Sequence, residues 1–189
     1  TSNARFEVAD AGEHAFGEGD WDALFSRFGC MFFDVPAAAM GHLRSALEPG
    51  GRAALCVWCE PKFNPWAMIP ASAANDVLGP AEKVPPGAPG PFGWATPDIF
   101  MPILGDAGWS EIAFAEHELS LPISAGDDPD PVERAITHMC RIGPLARRLE
   151  DHPDAEAEIR VILADALRPL IRDEVVMLGG KVRIITARA

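Results

Sequence analysis

The stretch Leu43–Trp58, which reads LRSALEPGGRAALCVW, constrains the fold of this chain more than any other. Met40, Leu43 and Leu47 recur at three- and four-residue spacing, which indicates one apolar face of a helix. The Pro-Gly-Gly that follows cannot continue that helix. The next run, AALCVW, is short, apolar and partly β-branched, which is typical of a strand buried on both faces. The sequence therefore predicts a helix that turns directly into a buried strand, as in an α/β domain.

The same periodicities predict the remaining elements. Strands are expected at 5–10, 22–28, 52–58, 111–118 and 181–187, and helices at 35–47, 65–78, 97–107, 130–141 and 154–171. The segment between Leu78 and Thr96 is too rich in Pro and Gly for regular structure. Its aromatic residues, Phe92 and Trp94, favour a lid over a site rather than a disordered linker.

Length and charge limit the classes of function. The 189 residues suit one domain, and a hydrophobic content of 48% can fill a sizeable core. A formal net charge of −12 argues against broad binding to nucleic acid or to an anionic membrane. No apolar run is long enough to span a bilayer, and four cysteines are too few for a disulfide framework. A reducing, cytoplasmic setting is the simplest expectation.

Motifs for metal, redox or hydrolytic chemistry are weak. Cys56 and Cys59 have the spacing of a metal or redox pair, but no second pair follows and the first lies in a predicted buried strand. The histidines show no ligand spacing, and no P-loop, G-x-S-x-G or H-E-x-x-H occurs. Asp10 follows the predicted strand RFEVADA, where α/β proteins bind ligands, although a loop aspartate at a strand end is common without function.

Three segments together carry a resemblance to a known family. They are RFEVADA, DWDALFSRFGCMFFDVPAAAMGHLRSALEPGGRAALCVW and NPWAMIP. The chain resembles class I S-adenosylmethionine-dependent methyltransferases, in the ubiquinone/menaquinone C-methyltransferase-like branch, also called methyltransferase type 11. The resemblance is specific over residues 5–66 and looser through the final run KVRIITARA. It implies an α/β, Rossmann-like methyltransferase fold with a mostly parallel sheet and an antiparallel last strand.

The resemblance also implies a cofactor, S-adenosyl-L-methionine, and the residues that hold it. Asp10 and Ala11 match the positions that hold the adenine, through a carboxylate and a backbone N–H. The methionine portion is matched at the end of the family's fourth strand by Ser26, Arg27 and Phe28. The implied cover over the substrate holds Trp66, Phe92 and Trp94. No catalytic base and no metal ligand is implied, because a methyl transfer can proceed by holding donor and acceptor in line.

The chain departs from the family in one respect. The family's glycine-rich G-x-G-x-G turn and its ribose-binding acidic residue do not occur, and the chain begins at Thr1. We therefore expect the C-terminal two-thirds of one domain, with residues 1–60 as the cofactor side, 61–96 as the substrate lid region and 97–189 as the C-terminal helices and final strands. An edge of the strand at 23–28 would be bare and would invite pairing with a second copy or with a preceding N-terminal segment.

Two functions from different classes fit these features. The first is S-adenosylmethionine-dependent methyl transfer to a small apolar or aromatic molecule by the parent protein, with this chain itself expected to bind cofactor poorly. The second is a non-enzymatic module, derived from the same fold, that dimerises or binds a ligand. The expected partners are a small-molecule substrate and a homodimer mate or N-terminal segment, with no nucleic acid and no membrane span.

Overall fold

The computed structural model describes residues 3–189 and contains five strands and six α-helices among them. The strands are β1 (Trp21–Arg27), β2 (Leu47–Trp58), β3 (Ser110–Ile123), β4 (Ile171–Arg172) and β5 (Val175–Arg188). The helices are α1 (Pro36–Ser45), α2 (Pro65–Leu78), α3 (Pro97–Asp106), α4 (Pro131–Arg141), α5 (Pro144–Asp151) and α6 (Glu156–Leu167). Short 3-10 turns join several of them.

The five strands form one mixed sheet in the order β1-β2-β5-β3, with β4 paired to β5. β1 and β2 run parallel. β5 runs antiparallel to β4. Hydrogen bonds from the Ala189 N–H to the Gly51 carbonyl and from the Cys59 N–H to the Lys181 carbonyl show that β5 is also antiparallel to β2. The predicted α/β fold with an antiparallel last strand is therefore confirmed, although only one strand pair described here is parallel.

The chain forms two compact units, each with its own hydrophobic core. The first unit comprises the chain up to Trp58 together with Pro86–Glu116 and Arg183–Ala189. The second comprises Cys59–Pro85 and His117–Val182. The segment Pro86–Glu116 and the end of β5 belong to the first unit.

The core of the first unit lies between the sheet and helices α1 and α3. Alternate residues of β2, namely Ala53, Leu55 and Val57, are buried on the helix side. Met40 and Leu104 from the two helices pack into the same cluster. Buried residues recur every second position along β2 and every three to four positions along α1, as the sequence predicts, and the two sets pack against each other in this core.

β2 contains an irregular start where the sequence predicts a turn. Trp21 of β1 pairs with Leu47, and Ala23 pairs with Arg52, so two residue steps on β1 match five on β2. The three extra residues of β2 form a bulge that includes Gly50, whose φ is 82°. The helix ends at Ser45, before the Pro-Gly-Gly segment, so the predicted end at residue 47 is wrong: Leu47 begins β2, and Pro49, Gly50 and Gly51 belong to that strand rather than to a separate turn.

The core of the second unit is built from α2, α4, α5 and α6. Its fully buried members include Ile136, Leu145, Ile159, Leu163 and Leu167. Within the helix predicted at 154–171, Ile159, Leu163 and Leu167 are all inaccessible and recur at the four-residue spacing of a core-facing stripe. The sequence reasoning missed α5 and β4, and it extended α6 through the 3-10 turns that flank it.

The strand predicted at 5–10 is wrong. Residues 4–10 have no regular structure, and Phe6 and Val8 are exposed. Alternation of apolar residues predicts a strand only where a neighbouring strand can pair with it, and no such neighbour exists for this segment among residues 3–189. None of the helices described here is long and apolar enough to cross a membrane.

Candidate functional site

The carboxyl ends of the parallel strands β1 and β2 form the centre of the candidate site. Phe28 follows β1 directly, and its N–H donates to the Cys56 carbonyl of β2 at 2.9 Å. Phe28 has a left-handed φ of 62°, which is uncommon for a bulky side chain. Its ring stacks on Trp58 with centroids 4.4 Å apart and an angle of 6° between the planes. A strained backbone held by a packed ring is typical of a position with a functional task.

Ser26 is fixed by the turn that follows β1. Its Oγ accepts a hydrogen bond from the Cys30 N–H at 3.1 Å. Burial raises the pKa of the Cys30 thiol to about 11, against a smaller lowering by the Ser26 hydrogen bond. Burial likewise raises the pKa of Cys56, against a smaller lowering by the Arg27 guanidinium. Both thiols are therefore protonated at neutral pH, which makes them poor nucleophiles and poor metal ligands.

Asp10 and Ala11 lie in a turn rather than at the end of a strand. The Asp10 Oδ1 accepts from the Gly12 N–H at 2.8 Å, and the Asp10 carbonyl accepts from the N–H groups of Glu13 and His14. The His42 ring Nε2 lies 2.7 Å from the His14 carbonyl, so this contact connects the turn to helix α1. Both predicted residues are exposed.

The Asp10 turn lies beside the segment that follows β1. A Cβ added at Gly12 would stand 3.5 Å from the ring of Phe33. Phe33 comes five residues after Phe28. The five predicted cofactor residues thus belong to the same unit, in the turn at Asp10–Ala11 and at the end of β1.

The three predicted substrate residues are divided between the two units. Trp94 is 1% exposed and packs in the core of the first unit, and its part in covering a substrate stays a prediction. Phe92 is half-buried in a loop whose Gly90 N–H donates to the Met31 carbonyl at 3.0 Å. Trp66 lies in the second unit, where its Nε1 donates to the Asn64 Oδ1 at 3.1 Å.

Sequence reasoning missed two residues of the first unit. Trp58 ends the predicted strand AALCVW, but its stacking on Phe28 depends on the register of β1 against β2. Arg183 is 2% exposed, pairs with Glu116 and donates to the Ala95 carbonyl at 2.6 Å. An arginine inside an apolar strand gives no signal that it is buried. Within residues 3–189 no group of three or more His, Cys, Asp or Glu side chains could hold a metal ion.

Comparison of the structure with solved structures identifies the fold. A proposed methyltransferase from Bacillus halodurans C-125 matches 95% of this chain and 75% of its own length, with a TM-score of 0.51 and 14% sequence identity. The chain has a Rossmann-like methyltransferase fold.

Two further solved structures are similar at lower scores. The YcgJ protein from Bacillus subtilis matches 98% of this chain and 71% of its own length, with a TM-score of 0.47 and 14% identity. Phosphoethanolamine N-methyltransferase 2 from Haemonchus contortus, in complex with S-adenosyl-L-methionine, matches 96% of this chain and 36% of its own length, with a TM-score of 0.42 and 12% identity. No protein-family model and no curated protein matches the sequence.

The candidate site lies at the carboxyl ends of the parallel strand pair. Ligands of open α/β sheets bind outside the carboxyl ends of parallel strands. β1 and β2 are the parallel pair described here, and Ser26, Phe28 and Trp58 lie where those two strands end. Phe28 thus lies directly after the carboxyl end of β1.

Proposed function

We propose that this protein takes part in S-adenosylmethionine-dependent methyl transfer to a small apolar or aromatic molecule. The observation that carries the proposal is the left-handed Phe28, stacked on Trp58 at the carboxyl ends of β1 and β2. The methyltransferase fold and the resemblance of residues 5–66 to the methyltransferase type 11 branch support it.

The five predicted cofactor residues, in the turn at Asp10–Ala11 and at the end of β1, suit a nucleoside with an amino-acid end. Asp10 is exposed, and its carboxylate retains acceptor capacity for an amino or hydroxyl group after its single hydrogen bond to Gly12. The turn at Ala11 supplies backbone groups of the kind that the resemblance implies for the adenine. Ser26 and Arg27 would hold the amino-acid end, and the stacked Phe28 and Trp58 rings form an aromatic wall beside it.

The protein's part in the reaction is to position the reactants. When bound, the cofactor supplies an activated methyl group that passes to a nucleophilic atom of the acceptor. Asp10, Ser26 and Arg27 would orient the donor, and the half-buried Phe92 is the remaining candidate of the first unit for contact with the acceptor. We assign no base, because orientation in a bound complex can itself supply a large rate enhancement.

Calorimetric titration with S-adenosylhomocysteine tests the proposal directly. We expect saturable, weak binding, since the chain has no G-x-G-x-G turn. Asp10→Asn keeps an oxygen for the Gly12 N–H but removes the charge, and it should weaken binding by about tenfold to a hundredfold, the range for a hydrogen bond to a charged group. Asp76→Asn, at an exposed position of α2, is the matched control and should leave binding unchanged.

Two outcomes would defeat the assignment. One is the absence of heat up to millimolar ligand on a sample whose circular dichroism shows folded protein. The other is equal binding by wild type and Asp10→Asn. The alternative function, a dimerising module, is favoured by a separate observation, the exposed apolar edge of β1.

A further inference from the structure

The turn that contains Asp10 is shaped by its own hydrogen bonds. The Asp10 carboxylate accepts from the Gly12 N–H. The Asp10 carbonyl accepts from the N–H groups of Glu13 at 3.1 Å and His14 at 2.8 Å. These bonds begin and end within the same short segment, so they fix the conformation of the turn. They do not fix where the turn lies in the first unit, which depends on contacts with other elements.

The residues after the turn are attached to the end of helix α1. The Phe16 carbonyl accepts from the Trp21 ring N–H at 2.9 Å. The Gly19 N–H donates to the carbonyl of Ser45, the last residue of α1, at 3.1 Å. The Phe16 side chain packs against the core of the first unit. Helix α1 is therefore the element that holds this part of the chain.

His42 of α1 connects the helix to the turn itself. Its ring Nε2 lies 2.7 Å from the His14 carbonyl. A carbonyl oxygen only accepts hydrogen bonds, so the imidazole carries a proton on Nε2 and donates it to this contact. His14 is the last residue of the turn, because its N–H donates to the Asp10 carbonyl. One hydrogen bond thus relates the position of the Asp10 turn to that of α1.

Aromatic packing protects the contact between His42 and His14. The His14 ring meets the Phe16 ring edge-on, with centroids 4.7 Å apart and an angle of 70° between the planes. The centroid of the Phe16 ring also lies 6.1 Å from that of His42. Both histidines are partly buried. Partial burial reduces competition from water, so the hydrogen bond to the His14 carbonyl is stronger than it would be at a fully exposed site.

The two parts of the candidate cofactor site need such an anchor. The Asp10 turn and the end of β1 at Ser26 lie far apart in sequence, and one ligand has to reach both. Helix α1 packs in the same core cluster as β2, the strand that pairs with β1. A turn anchored on α1 therefore keeps a set distance from the end of β1, as a binding site built from separate segments requires.

We infer that His42 is a positioning residue for the cofactor, since its hydrogen bond to the His14 carbonyl holds the Asp10 carboxylate where it accepts from the adenine amino group. The inference rests on the proposed function. His42 itself touches no reacting atom in this assignment. It acts on the ligand through the turn, so its removal should change how the protein distinguishes adenine from bases that lack the amino group.

Two ligands that differ in one group test this role by calorimetric titration. S-adenosylhomocysteine carries the exocyclic amino group of adenine, and S-inosylhomocysteine carries an oxygen in its place. The wild type should bind the first about tenfold more tightly or better, as expected for a hydrogen bond to a carboxylate. His42→Leu removes the N–H and should reduce this preference to about threefold or less. His42→Gln places an amide N–H near the position of Nε2 and should retain the preference.

Hydrogen exchange followed by mass spectrometry reports on the turn without any ligand. Peptides that cover residues 10–16 should exchange about twofold to tenfold faster in His42→Leu, the range for loss of one hydrogen bond, and at the wild-type rate in His42→Gln. His138→Leu is the matched control, because His138 is also a partly buried histidine in the last turn of a helix, in the second unit. It should change neither the ligand preference nor the exchange.

Three results would overturn the inference, and they separate it from the proposed function. A preference that persists in His42→Leu would leave the proposed function in place and show that other contacts position Asp10. Unchanged exchange of residues 10–16 in His42→Leu would show that the hydrogen bond does not hold the turn. No preference in the wild type, or no binding of either ligand to folded protein, would remove the adenine contact and the inference with it. If circular dichroism shows that His42→Leu is unfolded, His42→Asn replaces it, because its amide is too short to reach the position of Nε2.

Discussion

Removal of the Cys30 thiol should change how stability depends on pH. Cys30 is 1% exposed in the turn after β1, and burial raises its pKa from 9.0 to about 11. The unfolded chain releases this proton near pH 9, whereas the native protein keeps it until about pH 11. Between those values the unfolded state binds fewer protons than the native state, so the free energy of unfolding falls as pH rises.

The size of the effect follows from the pKa difference. Two pKa units at 1.36 kcal/mol each give a loss of about 3 kcal/mol. The contribution is fully present below pH 9 and is lost as pH rises to about 11. Comparison with a Cys30 variant isolates this loss, because the other three cysteines and the three lysines titrate in both proteins and the chain has no tyrosine.

Urea unfolding followed by tryptophan fluorescence at pH 8, 9, 10 and 11 measures this loss. Cys30→Ala should be less stable than the wild type at pH 8, because it leaves a small cavity. The difference between the two proteins should shrink by about 3 kcal/mol on going to pH 11. Cys140→Ala is the comparison at a half-buried thiol, and it should change the slope less. Parallel curves for the wild type and Cys30→Ala from pH 8 to 11 would refute the reasoning.

Three further predictions concern stability measured by urea unfolding at neutral pH. Gly51→Ala puts a Cβ 2.9 Å from a backbone oxygen and should cost about 1–3 kcal/mol, whereas Gly105→Ala meets no atom within 4 Å and should cost nothing. Arg183→Met should cost about 2 kcal/mol, since it leaves a buried carbonyl and a partly exposed carboxylate without their cationic partner. Leu163→Ala should cost about 2–5 kcal/mol and Val161→Ala less than about 0.5 kcal/mol, because only the first side chain is buried. Equal costs within either matched pair, or an Arg183→Met variant as stable as the wild type, would contradict the packing described above.

Where local chemistry decides an element, the sequence predicts it well. The bounds of α2 agree with the prediction at both ends, because Pro65 begins the helix and Gly79, with a φ of 76°, ends it. Where an element depends on a neighbouring strand, the prediction from sequence fails. Phe6 and Val8 alternate as in a strand, but no strand lies beside them within residues 3–189. The bulge in β2 likewise depends on where β1 pairs with it.

The same contrast between local sequence and tertiary contacts applies to the candidate site. Its place at the end of β1 follows from motif resemblance, since SRF lies where the family's fourth strand ends. The left-handed φ of Phe28 could not be predicted, because a phenylalanine gives no sign of positive φ as a glycine would. The burial of Trp94 was also missed, because a turn-rich loop says little about which of its side chains point into the core.

The three extra residues at the start of β2 have a consequence for changes in chain length. Side chains alternate between the two faces of a strand, so deleting one residue within Ala53–Val57 would turn the later core residues towards solvent. A deletion within 48–50 can instead be taken up by the bulge, with Ala23 still opposite Arg52 and every later residue on its original face. Insertions or deletions should therefore be tolerated within residues 48–50, where the bulge can absorb the change in length. They should not be tolerated within Ala53–Val57.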